Sequence, residues 1–117
     1  MRGTEIDCLF CRIVARDLPA EVVHETGTTL AFRDIAPHAP VHVLVVPKQH
    51  RPTVVDTARE DPRVLADLLL AADDVVRSEG LEQGYRLVVN TGPDAGQTVL
   101  HAHVHVLGGK AMTSPMA

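Results

Sequence analysis

Leu100-His101-Ala102-His103-Val104-His105-Val106-Leu107 sets three histidines at alternate positions in a run that is otherwise apolar. On extended backbone successive side chains point to opposite faces, so His101, His103 and His105 share one face and Ala102, Val104 and Val106 turn toward a core. The run therefore reads as a strand. Its histidine face is unlike an ordinary solvent-facing strand surface, which carries Thr, Lys or Glu. Neighbouring imidazoles on that face lie about 6.6 Å apart, so two of them could reach one metal ion, whereas all three span about 13 Å and diverge. A nucleophilic imidazole needs no convergence: the middle histidine attacks while its neighbours orient it and move protons. Imidazole attacks phosphorus well and leaves well, which suits phosphoryl or nucleotidyl transfer.

Immediately upstream, Thr91 to Thr98 (TGPDAGQT) offers Gly92 and Gly96 for close backbone approach, amide donors, and the side chains of Gln97 and Thr98. Such a loop could cradle a phosphate. It lacks the spacing and the lysine of a Walker loop, so its interest comes from its place before the three histidines.

Further out, Tyr85 to Asn90 reads as a strand, and Val41 to Val46, bounded by Pro40 and Pro47, as a central strand buried on most of both faces. Glu21 to Glu25 and Thr29 to Arg33 read as a hairpin across Thr26-Gly27. Residues 61 to 79 place Val64, Leu65, Leu68, Leu69, Ala72, Val75 and Val76 at helical spacing, with Pro62 in the first turn and Gly80 as the stop. Leu9 to Arg16 reads as a short helix ending before Pro19. The expected fold is α+β: an antiparallel sheet of about five strands, covered on one face, with one long and one short helix.

The 117 residues, 45% hydrophobic, suffice for one domain over 1–117, with a core of about 8–109 and a tail at 110–117. Aromatics are 3% and the formal charge is −4, which argues against stacked bases and against duplex binding through a basic surface. No nucleic-acid or membrane partner is expected, since no stretch reaches the roughly 18 apolar residues of a bilayer span and no secretory h-region is evident. The expected compartment is the cytoplasm. There the pair Cys8 and Cys11 could be a metal clip, an inert pair of small apolar residues or a redox dithiol.

His101-Ala102-His103-Val104-His105-Val106, preceded by Asn90 and Gly96-Gln97-Thr98, resembles the signature of the histidine triad (HIT) superfamily and its Hint-like branch. Residues 30–37, 40–50 and 84–90 resemble that branch in order and spacing. The resemblance implies a homodimer that binds purine nucleotides and hydrolyses nucleoside phosphoramidates or related conjugates. The alternatives are a dinucleoside polyphosphate hydrolase, a zinc hydrolase using the three histidines as ligands, and a non-catalytic nucleotide-binding or sensing module.

By the same resemblance His103 is the nucleophile that forms a nucleotidyl-histidine intermediate, His105 its phosphate-binding neighbour, and His42 a proton relay. Asp34 and Ile35 correspond to ribose and base contacts, and Asn90, Gly96 and Gln97 to the phosphate-side loop. Thr98 stands where the family usually has Ser to assist the leaving group, and keeps the hydroxyl. Cys8 and Cys11 resemble half of a structural zinc site completed by His50 and His101, and two Cys with two His make a closed tetrahedral shell with no open position. No catalytic metal is implied. His24 and His38 fall in no motif and read as surface or loop residues. Lys110 to Ala117 lacks the Trp that closes eukaryotic Hint chains, so their substrate preference does not carry over.

Overall fold

The computed structural model describes residues 8–112; expectations touching residues 1–7 and the end of the tail, 113–117, lie outside them. In chain order the elements are α1 (Leu9–Val14), β1 (Val22–Glu25), β2 (Thr29–Arg33), β3 (Val41–Pro47), α2 (Val54–Glu60), α3 (Pro62–Ser78), β4 (Tyr85–Val88), a 3-10 turn (Pro93–Ala95) and β5 (Val104–Gly108). The five strands form one sheet in the order β1-β2-β3-β5-β4, and every neighbouring pair is antiparallel.

The central position of β3 follows from its composition. A β-branched run with an apolar residue on each face is stable only where both faces are covered, and residues 42 to 47 are all buried. On one face Val43 and Val45 join Ala31 and Val106 against Leu68, Ala72 and Val75 of α3. On the other, Leu44 and Val46 pack with Leu30 and Phe32 of β2 and with Phe10 and Ile13 of α1. Pro62 starts α3, whose last turn is followed by Gly80 at φ +72, a conformation suited to glycine.

Four expectations change. The sheet is covered on both faces at β2 and β3, because α1 carries enough apolar surface in Phe10 and Ile13 to close the second face. Among the described residues there are three α-helices, not two: α2 is capped by Thr53, whose hydroxyl accepts from the Asp56 amide (3.0 Å) and donates to the Asp56 carboxylate (2.9 Å). Its opening valines carry no helical stripe long enough to announce it. Helix α1 stops at Val14, with Arg16 at φ +66. Finally, β5 begins at Val104 rather than Leu100, because the Ala102 amide donates out of the sheet to the carbonyl of Arg51 (2.7 Å).

Candidate functional site

Register sets which side chains meet on the α1-bearing face. His105 is the Cα partner of Leu44 on β3 and of Val88 on β4, and Leu107 is that of His42 and Arg86. His42, Leu44, His105, Leu107, Arg86 and Val88 therefore share this face. His101 and His103 precede β5, and both are buried rather than solvent-facing.

Hydrogen-bond partners fix the tautomers. The main-chain N–H of His38 donates to His42 Nδ1 (3.0 Å), so neutral His42 carries its proton on Nε2, 2.9 Å from His105 Nδ1. Donation across that gap leaves the His105 proton on Nε2. His103 Nδ1 lies 2.7 Å from the main-chain oxygen of His101, which can only accept, so its proton is on Nδ1 and its Nε2 lone pair is free. Burial pushes the His105 imidazole down to about 4, helped by His103 and His42, and burial also lowers His42. Both rings are neutral near pH 7.

Asp34 stands beside this relay: Oδ2 is 3.5 Å from His42 Nε2, while Oδ1 accepts from the Ala36 amide (2.8 Å). Asp34, His42 and His105 bring their ligand atoms close enough to suggest a cation site. Ligation through His42 Nε2 would, however, move its proton to Nδ1, against the donating His38 amide. The trio is better suited to proton transfer than to metal binding.

The second cluster has the opposite character. Cys8 and Cys11, at the start of α1, meet His50, just after β3, and His101. His101 Nδ1 is 3.3 Å from Cys8 Sγ, 3.4 Å from Cys11 Sγ and 3.2 Å from His50 Nδ1, and Cys11 Sγ is 3.3 Å from that same nitrogen. His101 Nε2 donates to the carbonyl of Pro47 (2.8 Å), which turns the Nδ1 lone pair toward the sulfurs. Metal–sulfur bonds of about 2.3 Å and metal–nitrogen bonds of about 2.0–2.1 Å give tetrahedral edges of about 3.3–3.6 Å, close to these separations. These four residues could hold a metal ion, with Pro47 as the outer hydrogen-bond partner.

Two cavities flank the histidines and share Thr98, His103 and His105. One, of about 430 Å³, is mostly apolar, with Phe10, Ile13, Leu18, Phe32 and Leu44 in its wall and Asp34 at its rim. The other, of about 640 Å³, lies toward β4. Ile35 is fully exposed beside the first, and Asn90 and Gly96 line the second. Gly96, at φ +83, turns the loop back. Gln97 is buried and committed to the backbone: Oε1 accepts from Gly92 N (2.9 Å), and Nε2 donates to the carbonyls of Pro52 (2.8 Å) and Val99 (3.1 Å). Its side chain braces the loop.

Sequence reasoning passed over the apolar wall, since such residues look like any core; Phe10 sets its ring edge on His103 with centroids 5.1 Å apart. It also passed over His38, whose ring packs on His42 at 5.7 Å and whose amide fixes the relay. His24 approaches Asp74 (3.1 Å), away from the site. No helix among the described residues is long and apolar enough to cross a membrane.

The HIT domain family model matches residues 15–112. An uncharacterized HIT-like protein of Synechococcus elongatus is 47% identical over 109 residues, covering 93% of this chain and 96% of its own. Protein HitA of Neisseria gonorrhoeae is 37% identical over 102 residues, covering 87% and 95%. Among solved structures, a HIT family hydrolase from Clostridium thermocellum superposes with a TM-score of 0.93 at 42% identity, over 97% of this chain and 100% of that one. A histidine triad nucleotide-binding protein from Candida albicans gives 0.80 at 28% identity, over 92% and 86%. With the family model matching residues 15–112 and relatives 37% and 47% identical over most of both chains, this chain belongs to the HIT domain family.

Proposed function

We propose that the protein is a nucleotide hydrolase that cleaves purine nucleoside 5′-monophosphate conjugates, phosphoramidates among them, through a nucleotidyl group carried on His103. The observation that carries this reading is the free Nε2 lone pair of His103 at the boundary between an apolar cavity and a polar one. The apolar cavity suits a nucleoside, with Asp34 for the ribose hydroxyls and Ile35 against the base. The phosphate then lies over Gly96, Thr98 and His105, with Asn90 beside it and Gln97 holding the loop.

His103 Nε2 attacks the α-phosphorus, and the bond to the leaving nitrogen or oxygen breaks with its electron pair. The Thr98 hydroxyl assists departure of that group. Positive charge that develops on the His103 ring is stabilised through Nδ1–H by the His101 carbonyl. His105 Nε2–H, oriented through His42, bonds the phosphate oxygens. The leaving nitrogen or oxygen departs carrying a proton passed from solvent through the Thr98 hydroxyl. Water then attacks phosphorus and gives a proton back to solvent, the P–N bond breaks with its electron pair returning to Nε2, and the nucleotide leaves with His103 restored.

Cys8, Cys11, His50 and His101 would hold zinc, in keeping with a closed Cys2His2 donor set. Bound there, it supplies a tie between α1 and the loop that carries the histidines, with no open position for chemistry. A homodimer fits the apolar surface on β4 and α3, where Tyr85, Leu87, Val89, Leu69 and Leu70 are exposed. The chain reads as one domain of the cytoplasm.

The test is a panel of adenosine and guanosine phosphoramidates and diadenosine polyphosphates, assayed with the wild type and His103→Ala. The expected result is turnover lost at least about 10³-fold in the variant, with nucleoside monophosphate affinity changed little. Absence of turnover on every member would favour the binding-module alternative.

A further inference from the structure

We propose that Cys8 and Cys11 are a reversible oxidation site: hydrogen peroxide closes them to a disulfide, the metal they hold is released, and the nucleotide site slackens with it. The effect on turnover rests on the reading of His103 as the attacking group, whereas the sulfur chemistry and its effect on nucleotide binding do not.

The two sulfurs are placed for each other. Cys8 caps α1 and Cys11 follows three residues later, so the Cys11 amide donates to Cys8 Sγ (3.4 Å). Both sulfurs lie close to the same nitrogen, His101 Nδ1, at 3.3 and 3.4 Å. The ligand atoms of all four residues lie within 4.8 Å of one another. Residues three apart on a turn of helix stand about 5–6 Å apart, within what a disulfide spans without backbone movement. Their exposures differ: Cys8 is half-buried, and Cys11 is 1% exposed. Cys8 is therefore the sulfur that an oxidant meets, and Cys11 the one that resolves it.

Cys8 Sγ, as thiolate, attacks one oxygen of the peroxide. The O–O bond breaks, Cys8 becomes a sulfenic acid, and the other oxygen leaves as water after taking a proton from solvent. Cys11 Sγ, also as thiolate, then attacks Cys8 Sγ, the S–O bond breaks, and the second oxygen leaves as water with another solvent proton. The two sulfurs together lose two electrons and the peroxide gains them. A disulfide offers no thiolate, so two of the four donors are lost, and the two imidazoles left cannot close a tetrahedral shell.

Two paths lead from this segment to His103. Phe10, between the cysteines in sequence, sets its ring against His101 (centroids 5.9 Å) and His103 (5.1 Å) and forms part of the apolar cavity wall. The His101 carbonyl accepts from His103 Nδ1. Without the shell, the His101 ring keeps its bond to the Pro47 carbonyl (2.8 Å) and loses its tie to α1. Oxidation thus loosens together the wall that faces the nucleoside and the carbonyl that orients the reacting ring.

The experiment uses the full-length protein, reduced and loaded with zinc, then treated with hydrogen peroxide in the presence of a chromogenic zinc indicator. Expected are release of one zinc per chain, a metal-free mass lighter by two hydrogens, and a peptide linked through Cys8 and Cys11. The melting temperature should fall by at least about 5 °C. Adenosine 5′-monophosphate should bind about 3- to 10-fold more weakly, and kcat should fall several-fold. Dithiothreitol followed by zinc should reverse every change, whereas methionine sulfoxide would survive that treatment.

Cysteines that remain thiols with zinc bound, or that end as sulfinic acid or as a bridge between chains, overturn the proposal. So does an intramolecular disulfide formed with zinc retained, or with affinity and melting temperature unchanged. If these binding and stability changes occur while no member of the substrate panel is hydrolysed, the reading of His103 falls and the oxidation site stands as a control on nucleotide binding.

Discussion

His103 Nδ1 donates to the main-chain oxygen of His101, 2.7 Å away, while the ring of His101 faces Cys8 and Cys11. One residue thus belongs to the Cys2His2 cluster by its side chain and to His103 by its backbone. The two sites are joined through a single hydrogen bond, which makes their separation measurable.

Replacing Cys8 and Cys11 together by Ser should remove stoichiometric zinc and lower the melting temperature by at least about 5 °C, since binding free energy at a structural site is folding free energy. The rate per folded molecule should fall only several-fold, through a loosened His101 carbonyl. Metal content by elemental analysis, read with kcat, decides the matter: retained zinc with zinc-dependent turnover would return the metal to the chemistry.

Stability should fall on acidification. His105 is pushed down to about 4, chiefly by burial, below the ordinary histidine value of 6.5, so the unfolded chain takes up a proton that the folded chain refuses. Its stabilising contribution is complete above pH 6.5 and is lost as pH falls from there toward 4, on the order of 1–3 kcal/mol. His105→Asn should lose less melting temperature between pH 7 and pH 5 than the wild type does. An equal loss in both would assign the effect elsewhere.

The dimer should depend on the β4 surface. Leu87→Glu places a charge on the exposed apolar face of β4 beside Tyr85 and should give a monomer by sedimentation at micromolar concentration, where the wild type sediments as a dimer. A wild-type monomer would reject the pairing.

Much of this was legible in the chain. The alternation of His101, His103 and His105 announced a histidine cluster; only His105 lies in β5 and His101 sits in a bend, while the rings of His103 and His105 stay neighbours with centroids 5.0 Å apart. Proline-bounded Val41 to Val46 announced the central strand, and the spacing from Val64 to Val76 announced α3. What stayed hidden depends on contacts remote in sequence. Nothing near Gln97 says that its amide will be consumed by Pro52 and Val99, and nothing near His38 says that its main chain will choose the tautomer of His42. Helix α2 escaped notice because it rests on a cap at Thr53 more than on a long apolar stripe.

The covalent step itself is open to direct observation. His105→Gln, which disturbs the donor facing the phosphate while sparing His103, should slow release of the nucleotide from the enzyme. Rapid quench of that variant with adenosine 5′-phosphoramidate, followed by intact-mass and peptide analysis, should find one adenylyl group added per chain and localised to His103. Turnover without any adenylylated chain at early times, or an adenylyl group on another residue, would contradict the account.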